Sequence, residues 1–269
     1  MEMLNWKEFL NPYEQAVSEL KLKFENMMNE YKLLGLYSPI ESVTGRVKKP
    51  SSIMGKAKKK NIPNDRIEED IEDIAGIRIL CQFVEDIQKI VSLIKRRDGY
   101  DFKVVEERDY VTNTKPSGYR SYHVIIKYPI NSVLGFREVL AEIQIRTLAM
   151  NFWATIEHSL QYKYKKNIPE HIRQRLSNAA SAIVVLDEEM SAVRDVIMDA
   201  QDSFQAKANL VSDILNNMQN LYKVANKREI LKIQDEFFRI YNSGDYDELD
   251  RFNKELDIIA EGYRAQSLK

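Results

Sequence analysis

From Val139 to Thr147 the chain alternates without a break, with Val139, Ala141, Ile143 and Ile145 on one side and Glu142, Gln144 and Arg146 on the other. Alternation at a period of two marks a half-buried strand, because successive side chains of an extended chain point to opposite faces. The apolar side demands a core. The polar side is the stronger constraint: a carboxylate, an amide and a guanidinium in register are costly to bury unless they pair or bind something. An ordinary solvated sheet face is the other reading of the same pattern.

A second strand is expected upstream, from Tyr119 to Tyr128, where aromatic and β-branched residues concentrate. On it Tyr119, Ser121 and His123 share one face, while Arg120, Tyr122 and Val124 take the other. Four residues of strand separate the Tyr119 and His123 Cα atoms by roughly 13 Å, about the reach from a purine ring to its polyphosphate. One ring could stack on a base while the imidazole meets phosphate. Lys115, Tyr119, His123, Glu142, Gln144 and Asn151 therefore lie on two strands and the start of a helix, facing one cleft that suits a nucleotide.

The segment TGRVKKPSSIMGKAKKK, Thr44 to Lys60, gathers Arg46, Lys48, Lys49, Lys56, Lys58, Lys59 and Lys60 around a Pro-Ser-Ser helix start. A helix N-terminus offers free backbone N–H groups and partial positive charge, so Ser51 or Ser52 followed by Lys56 reads as a phosphate entrance. A solvated lysine face is the plainer reading, and single-stranded RNA is the other partner such a patch suits. Next, Ile67, Ile71 and Ile74 are spaced for a short amphipathic helix, and a buried strand, Ile77 to Phe83, follows the turn at Gly76. Asp73 precedes that strand and Arg78 lies just inside it. Placed beside Glu142, Asp73 completes a carboxylate pair for Mg²⁺, which takes one or two such ligands plus phosphate oxygens. Read singly, Asp73 is a helix-end acid.

Composition sets bounds on the rest. The chain has 40 basic and 41 acidic residues, so bulk charge does not demand nucleic acid. Cys81 is the single cysteine and His123, His158 and His171 the only histidines, which argues against disulfides and against a thiolate or zinc site. No apolar run approaches membrane-spanning length and the start, MEMLNWKEFLN, is too polar for a signal peptide, so a cytoplasmic enzyme without membrane contact is expected. Ile172, Leu176, Ala179, Ile183, Leu186, Met190, Val193 and Ile197 form a heptad seam. Its partner is a neighbouring subunit or the chain's own N-terminal helix around Tyr13, Val17, Leu20 and Phe24. Beyond it, Phe204–Tyr222, Glu229–Tyr241 and about Tyr246–Arg264 read as helices, with Asn242-Ser243-Gly244-Asp245 as a stop and restart.

The ordered segments GRVK, DIAGIRI, SGYRSYH and EIQIRT with NFWATIEH resemble the synthetase domain of the Rel/Spo alarmone enzymes, in the small, synthetase-only branch of the RelQ type. The resemblance covers about residues 5 to 200. It implies a GTP pyrophosphokinase of the stringent response, in which the 3′-hydroxyl of GTP or GDP attacks the β-phosphorus of ATP to give (p)ppGpp and AMP, with no hydrolase activity. It also implies roles. Arg46 and Arg78 would sandwich adenine, Lys48, Ser52 and Lys56 would hold the ATP phosphates, and Arg108 would reach the transferred group. Asp73 and Glu142 would hold Mg²⁺, Glu142 also orienting or deprotonating the 3′-hydroxyl. Tyr119 would stack on guanine, Asn151 would read its edge, Gln144 would contact the acceptor, and Lys115 with His123 would hold its phosphates. A homotetramer is implied in the same way.

Two features depart from that pattern. Lys21 and Thr44 are kept where such enzymes bind an activating alarmone, but Glu25, Met28 and Ser42 replace two cations and a phenylalanine. The residues after about 200 also run past the usual end. Two other functions compete: pyrophosphate transfer to a tRNA 3′ end, against which the guanine-reading Tyr119 and Asn151 argue, and a catalytically silent nucleotide- or RNA-binding regulator, for which two metal ligands would be superfluous. The expected fold is α/β, a mixed β-sheet flanked by helices, like the nucleotidyltransferase superfamily core. Strands are expected near 76–83, 101–109, 119–128 and 137–147, plus one short strand that periodicity does not place. The catalytic domain is expected over 1–200 and an α-helical C-terminal extension over 201–269.

Overall fold

Asn5 starts the fold by capping helix α1, Trp6–Leu33, its side chain accepting the Glu8 N–H at 3.5 Å. Tyr13, Ala16, Leu20, Phe24 and Met27 recur at steps of three and four and are all buried, so one stripe of α1 faces the core. Full burial of a side chain such as Leu20 or Phe24 contributes about 1.5–3 kcal/mol. The computed structural model describes residues 5–133, 135–163, 168–223 and 225–267.

The sheet is mixed and five-stranded. Its strands are β1 (Ser42–Val47), β2 (Ala75–Cys81), β3 (Lys103–Asp109), β4 (Tyr122–Ser132) and β5 (Gly135–Thr147), in the order β1-β2-β5-β4-β3. Only the β2–β5 pair is parallel. β1 is the strand that periodicity leaves unplaced. Its Gly45 is required for packing, since a Cβ there would fall 2.5 Å from Val17 Cγ1 on α1. Helix α2 (Pro50–Lys60) and a single turn, α3 (Ile67–Asp70), connect β1 to β2, and α4 (Val84–Lys95) follows β2. The expected helix through Ile74 is thus shorter. Ile71 is already extended at φ −108°, and Ile67, Ile71 and Ile74 are buried across a turn rather than along one helical face.

One face of the sheet is apolar. Ile77, Ile79, Val124, Ile126, Ile143 and Ile145 join Tyr13, Leu20 and Phe24 of α1 and Ile87, Ile90 and Ile94 of α4 in one buried cluster. Cys81 belongs to it, and burial together with the Asp86 and Asp187 carboxylates pushes its thiol pKa far up. The opposite face carries the polar residues of β2, β4 and β5. The alternation read for β5 is observed, whereas β4 begins at Tyr122 instead of Tyr119. Gly118, at φ +84°, donates to the Lys115 carbonyl at 2.8 Å and holds residues 115–119 in a turn.

Helix α5 (Leu148–Lys163) leaves β5 with its Met150 N–H donated to the Thr147 hydroxyl oxygen at 3.0 Å. Helix α6 (Glu170–Leu221) runs 52 residues, merging the expected seam helix with the expected Phe204–Tyr222 helix, since no Gly or Pro separates them. By its contacts the chain forms two compact units, one up to Ala192 and one from Val193 onward. In the first unit the buried positions of α6 are Ala180, Asp187 and Ser191, while Leu186 and Met190 of the expected seam stay 48% and 46% exposed. The face turns because Asp187 and Ser191 find polar partners: Thr147 at 3.1 Å and Glu85 at 3.0 Å.

The second unit is helical. The C-terminal part of α6, α7 (Lys227–Ser243) and α8 (Tyr246–Ser267) surround Ile214, Leu221, Ile240, Leu249 and Leu256. The expected stop and restart is observed: Gly244 ends α7 at φ +78°, and Asp245 accepts the Asp247 and Glu248 N–H groups at 2.9 and 3.1 Å. No described helix is long and apolar enough to cross a membrane.

Candidate active site

Strand register assembles the site. Arg46, Gly76 and Glu142 stand side by side across β1, β2 and β5. One row over, Thr44, Arg78, Gln144, His123 and Arg108 run across all five strands. Gly76 has no side chain to fill the space between Arg46 and Glu142. The result is a cleft of about 130 Å³ lined by Arg46, Asp73, Arg78, Glu142 and Gln144 among others. Nucleotide pockets run upward from about 300 Å³, so this cleft fits a reacting centre, with the remainder of any ligand on the open face.

Asp73 lies in the loop ahead of β2, where Lys48 and Lys56 both donate to its carboxylate, the latter at 2.7 Å. Burial alone would raise its carboxyl pKa, but the two lysines outweigh it and hold the group below the usual carboxylate range. Arg78 has a lowered pKa from burial and from the like charges of Arg146 and Arg46, and its buried Nε has no hydrogen-bond partner. Ser52 is exposed in the first turn of α2, whose N-terminus no side chain caps. Two ammonium groups therefore gather around the Asp73 carboxylate.

On the other flank the polar side chains close a circuit. His123 Nδ1 is 2.9 Å from Glu142 Oε1, and His123 Nε2 is 2.8 Å from the Tyr119 hydroxyl. Arg146 Nη2 donates to that hydroxyl oxygen at 2.5 Å and to Gln144 Oε1 at 2.9 Å. Gln144 Nε2 completes the loop at Glu142 Oε2, 2.6 Å away. Burial pushes the Glu142 carboxyl pKa up, as does Asp73 nearby, yet the His123 and Gln144 bonds hold it below its ordinary value. The Lys115 ammonium lies 4.0 Å from the Tyr110 ring centroid and 5.0 Å from that of Tyr119. Asn151, in the first turn of α5, has a buried Oδ1 without a partner, as an atom awaiting a ligand would.

Most of the expected site residues thus surround one region, but two contacts differ from expectation. Arg108 is gripped by Glu72 through two bonds of 2.8 Å and by Glu106, and these ion pairs raise its pKa. Its guanidinium is held by carboxylates of the protein itself. His123 has both ring nitrogens engaged within the protein, so a phosphate could reach it only if Tyr119 released Nε2. A separate cleft of about 480 Å³, lined by Pro116, Ser117, Glu157, Arg173 and their neighbours, contains none of the expected residues.

Sequence reasoning missed Glu72, Tyr110 and Arg146. Glu72 was hidden in an acidic run, Glu68 to Asp73, where nothing distinguishes one carboxylate from another. Tyr110 packs edge-on to His123 with centroids 5.2 Å apart. Arg146 was placed on the correct face but given no role. Among the described residues no group of three or more His, Cys, Asp or Glu could hold a metal by itself. Two carboxylates opposite a phosphate entrance nevertheless fit Mg²⁺, which draws its other ligands from substrate and water.

Comparison with known proteins follows the same lines. The family model described as "Region found in RelA / SpoT proteins" matches residues 45–167. GTP pyrophosphokinase YjbM of Bacillus subtilis strain 168 is 53% identical over 207 residues, covering 77% of this chain and 97% of the relative. The crystal structure of small alarmone synthetase 1 from B. subtilis bound to its product pppGpp superposes with TM-score 0.68 at 54% identity, over 71% of this chain and 97% of that one. The same enzyme bound to AMPCPP gives TM-score 0.64 at 50% identity, over 72% and 98%. With most of its length aligned at that identity and the same fold beneath the aligned residues, the chain belongs to the RelA/SpoT family, among its small alarmone synthetases.

Proposed function

We propose that the protein is a GTP pyrophosphokinase that transfers the β,γ-pyrophosphate of ATP to the 3′-hydroxyl of GTP or GDP, forming (p)ppGpp and releasing AMP. The observation that carries this reading is the convergence of Asp73 and Glu142, distant in sequence, on one cleft with Arg46 and Arg78. A relative named for that activity and structures with pppGpp and an ATP analogue support it. Transfer of this kind needs little covalent help and depends on alignment and charge neutralisation.

Arg46 and Arg78 supply guanidinium planes for adenine. Lys48 and Lys56 leave Asp73 for the ATP phosphates, Ser52 and the α2 N-terminus adding donors. Asp73 and Glu142 would hold Mg²⁺, which would supply charge neutralisation at the transferred group. Glu142 keeps one lone pair on each oxygen beyond its present bonds, enough to accept from the 3′-hydroxyl and orient it toward phosphorus. Tyr119 stacks on guanine once Lys115 moves from its ring to the acceptor phosphates, and the unpartnered Asn151 Oδ1 accepts from the base edge. With these substrates the cytoplasm is the site of action. The half-exposed Leu186 and Met190 suit a neighbouring subunit in a homo-oligomer, and Lys58, Lys59 and Lys60, all exposed, suit RNA. Purified protein given ATP, GTP and Mg²⁺ should yield AMP and a guanosine penta- or tetraphosphate on nucleotide chromatography. Absence of both products would overturn the reading.

A further inference from the structure

The circuit through Glu142, His123, Tyr119, Arg146 and Gln144 has a direction set by its chemistry. An arginine only donates. The Tyr119 oxygen therefore accepts from Arg146, and the same hydroxyl lies 2.8 Å from His123 Nε2. His123 Nδ1 in turn meets Glu142 Oε1 at 2.9 Å. The same Nη2 fixes Gln144 by donating to its carbonyl oxygen, which turns the amide N–H toward the other Glu142 oxygen. Ser121 Oγ anchors the guanidinium, accepting from Nε at 3.2 Å, and Arg146 is only 5% exposed.

We propose that Arg146 is a positioning residue for the transfer reaction. It does not touch substrate. One buried guanidinium fixes Tyr119, and through it the His123 ring, on one arm and the Gln144 amide on the other, so that Glu142 is contacted at both oxygens and held in a single orientation toward the acceptor hydroxyl. It also lies 5.0 Å from the Tyr119 ring centroid, tying the stacking ring to the same group. This inference rests on the synthetase reading above for its consequence in turnover, but the circuit stands without it. Lysine cannot replace Arg146, because a point ammonium lacks the planar fork that reaches Ser121, Tyr119 and Gln144 together.

The test has a spectroscopic and a kinetic arm. In nitrogen-15 NMR of the full chain without nucleotide, Arg146→Lys should shift the His123 ring signals, which the guanidinium reaches through Tyr119. The same variant should raise the KM for GTP about tenfold or more, the loss expected for hydrogen bonds to a charged group, with the KM for ATP changed less than about twofold because the positive charge beside Arg78 is kept. Tyr119→Phe keeps the ring but opens the circuit, and the double variant should be little worse than the worse single one. His123 ring signals unmoved by Arg146→Lys, or effects of the two substitutions that multiply as independent ones, overturn the proposal. If wild-type protein makes no alarmone, the functional reading fails while the His123 signals still decide the circuit.

Discussion

Replacing Gly118 by alanine should loosen the acceptor half of the site and spare the donor half. Gly118 holds φ +84°, and a Cβ there would lie 2.4 Å from Ala180 Cβ and 3.6 Å from Trp153 Cζ2. The left-handed conformation costs a residue with a Cβ about 1–2 kcal/mol. Overpacking adds about 1–3 kcal/mol, because Ala180 Cβ is fixed to the α6 backbone and cannot swing aside. The total of about 2–5 kcal/mol is relieved if the 115–119 turn shifts, carrying Lys115 and Tyr119 with it. At about 1.4 kcal/mol per factor of ten, even the low end raises the KM for GTP by more than an order of magnitude. Arg46, Lys48, Lys56 and Arg78 are not on this turn, so the KM for ATP should change by less than about twofold. Ala180→Gly removes the opposing carbon but not the backbone strain, so Gly118→Ala/Ala180→Gly should recover about one order of magnitude. Initial rates at varied GTP, with thermal melts to confirm folding, decide it. A Gly118→Ala enzyme with an unchanged KM for GTP, or no recovery in the double variant, would refute the packing argument.

Glu142→Gln keeps shape but removes the charge proposed to orient the hydroxyl and bind the cation. Turnover should fall by about 100-fold or more, with binding of an ATP analogue by calorimetry largely retained; binding lost in parallel would make Glu142 structural. Asp187 offers a pH test. Burial raises its pKa, and Glu85 and Glu188 add to this, outweighing the Thr147 bond and Arg120. Its contribution to stability is therefore greatest below the unfolded value near pH 4 and is lost as pH rises through the folded value. Asp187→Asn can still accept from Thr147, so urea melts should show it more stable than wild type at neutral pH, with the difference shrinking in acid. Asn226 caps α7 by accepting the Arg228 and Glu229 N–H groups, both at 3.1 Å; Asn226→Ala should cost about 1 kcal/mol by denaturant melt while initial rates stay unchanged.

The sheet and its polar face were legible because period-two alternation is strong wherever one side is buried, as at Ala141 to Arg146. β1 was not, since SVTGRV mixes a glycine with exposed polar residues and leaves no clean alternation. The isoleucines at 67, 71 and 74 match helical spacing, but that spacing equally serves a buried turn. Tyr119, Ser121 and His123 were correctly grouped although the strand starts later, because the side chains keep their sense through the residues before it. Asp73 and Glu142 were paired through the family likeness and through chemistry. The Arg108–Glu72 clamp was invisible, as a contact 36 residues apart between charges that abound on any surface. Of the seam on α6, Leu176 and Ile183 pack against the Trp153 cluster, whereas Leu186 and Met190 stay exposed because Asp187 and Ser191 take the buried face by finding polar partners.

The single parallel pairing in the sheet, β2 beside β5, has a consequence for how the protein is made. β4 and β5 are joined by a hairpin and can meet early, but Gly76 must wait for Glu142, sixty-six positions later in the chain. Contacts of such separation form late, after the entropy of closing a long loop has been met. A polypeptide still emerging from the ribosome carries Asp73 with only Lys48 and Lys56 to meet it until Glu142 has been synthesised. No N-terminal fragment ending before β5 can acquire the activity, and chemistry begins only when the whole sheet has closed.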